Sequence, residues 1–290
     1  MSGGSGAAAA APGGSPARAR PTQRYGAIVV VGGGCYGSYY VRQLGRAIAA
    51  GALACRRVLV VDRDADCAVG RAIAAGAPPK HQDAAAGAGL ADPFAAAGVE
   101  LTLVAAEWGE FFAGYLAGAA HDDGALADAV VPSPLMPHLL YDWIVARARE
   151  RWPGRSVRTV PLHRPPATPW ERRATDGTHY VSFAEWMCPI NCVEPPLCPE
   201  IAGPRTWSVP PALRAYVAAE RAAGRAIAGP VLFHCTHRAY GVGMIDVRDV
   251  LAGDSVVAAA GAAASARVLV GTVSHCHGAV NLLDLGAAAG

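Results

Sequence analysis

The 290-residue chain carries a net charge of +2 with basic residues scattered along its length, so it has no footprint for a phosphate backbone and nucleic acid is set aside as a partner. With 52% hydrophobic and 17% charged residues it has the profile of a folded globular protein rather than a disordered one. One lysine, Lys80, against twenty-four arginines in an alanine- and glycine-rich chain reads as GC-rich coding bias of a bacterial kind.

Residues 1–24 are small and Pro/Gly/Ser-rich and lack apolar periodicity, which predicts a disordered tail. The alanines at 7–11 are too short and weak for a secretory core of ~7–15 apolar residues. Further on, Ser265 and Arg267 break the apolar run from Val256 before it reaches the ~20 residues of a membrane span. No membrane span and a cytoplasmic location are expected. In that compartment thiols stay reduced, and clustered cysteines point to metal or redox chemistry before disulfides.

Ala27–Val31 reads as a buried strand, followed by a glycine turn and a helix with Val41, Leu44 and Ile48 on one face. Gly32, Gly34 and Gly37 fit G-x-G-x-x-G: the first for a tight turn, the second for close approach to a pyrophosphate, the third for helix packing. A second strand, "RRVLVVDRD", ends in Asp62, whose carboxylate can accept ribose hydroxyls. No lysine follows the glycines, so P-loop phosphoryl transfer is not expected. The pairing "VVVGGGCYGSYYVRQL" and "VLVVDRD" resembles NAD(P)-binding Rossmann proteins, most nearly the TrkA-N type, over residues 26–66. The resemblance implies NAD or NADP as ligand; it covers no partner domain, so that family's role in ion transport is not carried over.

Strands are also expected at 99–106 and 127–134, and an amphipathic core helix over 138–152. Cys35 reads as a spacer in the glycine turn, and Cys55 and Cys67 as small buried side chains. From Pro153 to Pro211, twelve of the 22 prolines gather and periodicity nearly vanishes. That stretch carries Cys188-x3-Cys192-x5-Cys198, two of the three followed by proline, and a metal would supply the order that a core cannot. After Pro211, helices at 212–224 and 246–253 alternate with strands at 229–237 and 266–278, which argues for a parallel arrangement. Those strands end in His234-Cys235-Thr236-His237 and Ser274-His275-Cys276-His277. If they join the first-half sheet, the clusters share the rim on which the glycine turn opens.

The expected fold is α/β: a Rossmann-like doubly wound parallel sheet with a Pro/Cys-rich loop insertion. Its expected parts are a tail (1–24), a dinucleotide-binding unit (25–152), a metal-binding insertion (153–211) and a C-terminal α/β segment (212–290) that completes the sheet or forms a small second lobe. Cys188, Cys192 and Cys198 are candidate ligands of an iron–sulfur cluster or zinc, with Cys235 first and Cys276 second as the fourth, or a nearby histidine. The leading function is an oxidoreductase acting on a small-molecule substrate or electron carrier. The alternative is an NAD(H)-sensing regulatory protein with a structural zinc. FAD or S-adenosylmethionine in the same fold, and homo-oligomerisation, are left open.

Overall fold

The computed structural model describes residues 22–76, 92–186, 188–189 and 192–288; all but three residues of the predicted tail lie outside them. The first half runs β1 (Gln23–Val31), α1 (Cys35–Ala49), β2 (Leu53–Asp62), α2 (Ala68–Ala74), α3 (Pro93–Ala96), β3 (Glu100–Ala105), α4 (Trp108–Ala119), β4 (Ala129–Val131) and α5 (Leu139–Arg151). The second half runs β5 (Arg155–Val160), β6 (Trp170–Arg173), β7 (His179–Ser182), β8 (Leu197–Cys198), β9 (Gly203–Pro204), α6 (Val209–Ala222), β10 (Ala228–His234), β11 (Thr236–His237), β12 (Gly243–Asp246), α7 (Val247–Gly261), β13 (Ala266–Val273) and β14 (His277–Ala288). The protein is a mixed α/β fold, as its alternating apolar strands and helices require.

Two six-stranded sheets organise it. In the first, β3, β2, β1 and β4 lie side by side and parallel, and β12 and then β11 extend the β4 edge in antiparallel pairing. Because strand side chains alternate in direction, β1 sends Ile28 and Val30 to one face and Val29 and Val31 to the other. α1 packs on the first face through Val41 and Leu44, and α4 and α5 on the second through Phe112, Leu116 and Ile144. The strand order reverses between β1 and β4, which opens a crevice at their carboxyl ends.

The second sheet has the order β10-β13-β14-β7-β6, with β5 also paired to β14. Here the structure differs from the expected single parallel sheet. β10 and β13 are parallel to each other, but β14 returns antiparallel along β13, from Val273 opposite Gly278 to Ala266 opposite Leu285. The turn Ser274–Cys276 therefore closes a hairpin. The sheet's inner face, through Phe233, Val270 and Leu283, joins the core of α4, α5 and α7, while α6 covers its outer face through Leu213 and Val217. The result is five layers, α/β/α/β/α. Helices α4, α5 and α7 are shared between the sheets.

The stretch read as an insertion without order carries β5 to β9. Its strands escaped the periodicity reading because they are short and partly solvated: all of β6 is exposed. Among the described residues no helix is long and apolar enough to cross a membrane.

α6 is tied down by an ion cluster. Glu220, fully buried, accepts from Arg164 Nε at 2.8 Å and from Arg225 at 3.0 Å. Arg225 pulls its carboxyl down, burial opposes this, and Arg164 adds to the pull, leaving it at about 2 against an ordinary 4.5. A carboxyl depressed on folding contributes stability that is present above its unfolded value and lost as pH falls toward its folded one. Glu220→Gln should therefore lower the melting temperature at neutral pH. The gap from wild type should narrow as pH falls from 4.5 toward 2, measured by thermal unfolding at several pH values.

Candidate functional site

The glycine turn has the geometry its spacing implies. Gly32 has φ +85°, which disfavours any side chain, and its N–H reaches Val61 O at 2.8 Å. A Cβ on Gly37 would stand 1.8 Å from Gly32 O, so this glycine lets α1 start hard against the turn. Gly34 is exposed, and a Cβ there would meet nothing within 4 Å. Beyond it the first-turn amides of Cys35, Tyr36 and Gly37 have no partner inside the helix and carry the positive end of its dipole. Asp62 ends β2 beside the turn, but its carboxylate is engaged: Oδ2 accepts from Gly33 N at 2.7 Å and Oδ1 from Asp64 N at 2.9 Å. Each oxygen keeps a lone pair for a further donor. Cys67 is buried, as expected, and caps α2, its sulfur accepting from Gly70 N at 3.4 Å. Cys35 is exposed and Cys55 half-buried, with burial pushing the Cys55 thiol up to about 11.

A cleft of about 730 Å³ opens from the crevice between β1 and β4. Tyr36 and Tyr40 of α1 and Pro132–Pro134 after β4 form one end of its lining. Glu194, Cys235, His237, Ser274 and His277 belong to the same lining, as do Cys188, Cys192 and Trp186. The two His/Cys clusters therefore meet at the first sheet's rim as expected, but by another route. The chain leaves the second sheet at His234, crosses at Cys235, and enters the first sheet at Thr236. The β13–β14 turn brings the other cluster from the second sheet.

Glu194, which the sequence reading passed over, holds these pieces together. It is 8% exposed and has φ +48°, a strained conformation for a residue with a side chain. Its Oε1 accepts from Ser274 Oγ at 2.6 Å and Cys276 N at 2.9 Å, and its Oε2 from His275 N at 3.0 Å. His237 Nδ1 stands 3.7 Å from Oε2, an ion-pair separation rather than a full hydrogen bond. Burial pushes the carboxyl up, but His237, Ser274 and the two amides outweigh it and hold the group well below the usual carboxylate range. It is an anion at neutral pH. The signal was present in the sequence, since Glu194 is the one charged residue between Glu185 and Glu200.

His237 is positioned from behind. Arg238 donates to Asp246 Oδ2 at 2.8 Å, Thr236 Oγ1 at 3.0 Å and Tyr25 Oη at 2.9 Å, which pins the β11–β12 ladder to the sheet. A Cβ on Gly243 would lie 2.5 Å from Cys235 Sγ and 3.6 Å from His237 Nε2, so the two share a face. Burial is the main cause that pushes the Cys235 thiol up to about 12. His275 and His277 are taken by Ser208 Oγ and Ser182 Oγ, each at 2.9 Å, and burial lowers the pKa of both and of His234. These three are neutral at pH 7 and structural in their contacts.

Hydrogen bonds from Arg205 and a short ladder hold the described part of the cysteine-rich segment from Glu194 onward. Arg205 donates to Glu194 O at 3.0 Å and Pro195 O at 3.3 Å, its backbone N–H reaches Pro196 O, and β8 pairs with β9. Among the described residues no group of three or more His, Cys, Asp or Glu gathers around a point that could hold a single ion. Cys235 packs against Gly243.

If Glu194 is the clasp, its removal should be costly. Glu194→Ala leaves a hydroxyl and two amides without their acceptor, each loss worth ~1–3 kcal/mol. We expect a lower melting temperature and faster proteolysis around residues 188–208. Cys235→Ser should do neither.

A family model described as "Uncharacterized protein, C-terminal domain" (AF_1314_C) matches residues 140–286, the span that holds α5, the second sheet and the Glu194 clasp. No curated protein and no solved structure matches the chain.

Proposed function

Because the chain belongs to the AF_1314_C family, whose description names no activity, we propose from the site itself that it is a nicotinamide-dinucleotide-binding oxidoreductase acting on a small hydroxy compound or the corresponding carbonyl. The observation that carries this reading is the continuity of one cleft, from the start of α1 and the end of β4 to a histidine backed by a buried carboxylate.

The glycine turn suits a pyrophosphate: open space over Gly34 admits it, and the α1 amides and dipole favour its charge. The free lone pairs of Asp62 suit a ribose diol, and its charge favours NAD over NADP. When bound, the dinucleotide supplies the hydride acceptor or donor. Everything else falls to the chain. In the oxidising direction His237 Nε2 accepts the hydroxyl proton as the carbon gives up hydride, so a C–H and an O–H bond break together and a carbonyl remains. Glu194, with Oε2 at 3.7 Å from Nδ1, stabilises the imidazolium that forms. Trp170 and Trp186 supply apolar wall that limits water. A cytoplasmic setting suits a chain whose eight cysteines are all free.

Gly34→Val puts a side chain into the open space over the turn, at a backbone position of φ −76° and ψ −146°. We expect it to weaken NAD(H) affinity at least tenfold, about 1.4 kcal/mol, in calorimetric titration, with the melting temperature recorded on the same sample to separate lost binding from lost folding. Wild-type protein that binds neither NAD(H) nor NADP(H) would overturn the reading.

His237→Asn should leave cofactor affinity intact and lower kcat by ~10²–10⁴, the range for a lost general acid–base. An unaltered pH profile in that variant would remove His237 from the chemistry.

A further inference from the structure

Hydride transfer at His237 does not by itself say which hydroxy compound enters the cleft; the charges and rings of the cleft wall narrow the choice. Resting on that reading, we propose that the substrate is an uncharged aromatic alcohol or its carbonyl, selected by the rings of Trp170 and Trp186.

Charge comes first. Among the described residues no arginine or lysine belongs to the lining, whose carboxylates are the exposed Glu185 and the buried Glu194. A hydroxy acid or a phosphorylated substrate would bring a second anion beside Glu194 with no guanidinium or ammonium to pair it, and an unpaired charge in such a site is costly. The arginines behind the site have partners of their own: Arg238 donates to Asp246 and Tyr25, and Arg205 to the carbonyls of Glu194, Pro195 and Trp207. Arg172 is exposed and stands opposite Tyr180 in the β6–β7 ladder, outside the lining. A cationic substrate is served no better. Both oxygens of Glu194 already accept, Oε1 from Ser274 Oγ and Cys276 N and Oε2 from His275 N, and His237 faces Oε2. His277, also in the lining, is held by Ser182 Oγ at 2.9 Å. The wall suits a neutral ligand.

What the wall offers instead is rings. Trp170, Tyr180 and Trp186 all line the cleft, whose volume of about 730 Å³ falls within the ~300–1,000 Å³ of small-molecule sites. Trp170 stands on the exposed strand β6 and is itself 42% exposed, so its indole is apolar area that a ligand can take out of water. Trp186 is fixed from behind. Trp207 meets it edge to face at 6.2 Å and donates through Nε1 to Cys276 Sγ at 3.3 Å, which ties the pair to the β13–β14 turn that Glu194 grips. A ring already held by its neighbours has little freedom left to lose on binding. Because aromatic rings pair best in offset or edge-to-face arrangements, a flat substrate ring gains more from these walls than a saturated one of similar size.

The test is ligand-detected NMR titration of the full chain, with and without NADH, using three probes. Benzyl alcohol is the expected ligand type, mandelate adds a carboxylate to the same ring and hydroxyl carbon, and cyclohexylmethanol replaces the ring with a saturated one. We expect benzyl alcohol to bind at least tenfold more tightly than either of the others. Trp170→Ala should weaken benzyl alcohol at least tenfold, and Trp170→Phe should restore most of the loss. Mandelate or cyclohexylmethanol binding as tightly as benzyl alcohol overturns the proposal, and so does the absence of benzyl alcohol binding to the wild-type chain, whatever the variants do. Unchanged benzyl alcohol affinity in Trp170→Ala overturns it as well. The two readings fail separately: benzyl alcohol bound by a chain that takes no NADH sinks only the hydride-transfer reading, and NADH binding with mandelate preferred sinks only the substrate class.

Discussion

A buried carboxylate without enough partners is among the most costly groups a fold can hold, and that constraint governs the Glu194 joint. Its negative charge is tolerated because one hydroxyl, two backbone amides and the His237 ring converge on it. Those donors sit on the β13–β14 turn and on β11, so the carboxylate can be satisfied when the second sheet, the edge of the first and the proline-rich segment are all in place. The left-handed backbone at Glu194 is tolerated for the same reason, since the surrounding bonds over-determine it. One residue in a core-poor stretch thus couples three parts of the chain.

The crossover at Cys235 explains why the cleft lies where it does. β10 belongs to the second sheet and β11 to the first, with one residue between them, so the ends of the two sheets are held within a short span of chain. The shared helix layer then keeps them apart elsewhere, with Phe233 and Val231 of one sheet and Val29 and Val31 of the other in a single core. What remains between the ends is a cleft with Tyr36 and Tyr40 of α1 at one side and His237 at the other. Both the start of α1 and His237 belong to the first sheet's rim, so the proposed cofactor and proton roles fall on neighbouring parts of one sheet.

The strands β1 and β2 were legible because they are buried on both faces and read as unbroken apolar runs, "AIVVV" and "VLVVD", whereas the edge strand β12 of the same sheet was not read as a strand. Glycines with required geometry, Gly32 and Gly37, were legible for the same local reason. The second sheet was not. β14 begins at His277 and was taken for the tail of the preceding strand, because nothing in "SHCHG" has the Asn-Gly or Asp-Gly form that marks a tight hairpin. Its turn is held from outside, by Glu194, Trp207 and Ser208, and such long-range support leaves no local pattern. Asp62 was placed correctly at the end of β2, while its bonds to Gly33 and Asp64 belong to loop geometry that spacing does not encode.

The account stands on one spatial claim, that the glycine turn and the Glu194–His237 pair serve the same ligand. A crystal structure of the protein with NADH bound measures this directly. The account predicts the pyrophosphate over Gly34 at the start of α1 and the nicotinamide ring in the cleft within reach of His237. A dinucleotide whose ring points away from the cleft, or one bound elsewhere with the glycine turn empty, would contradict it.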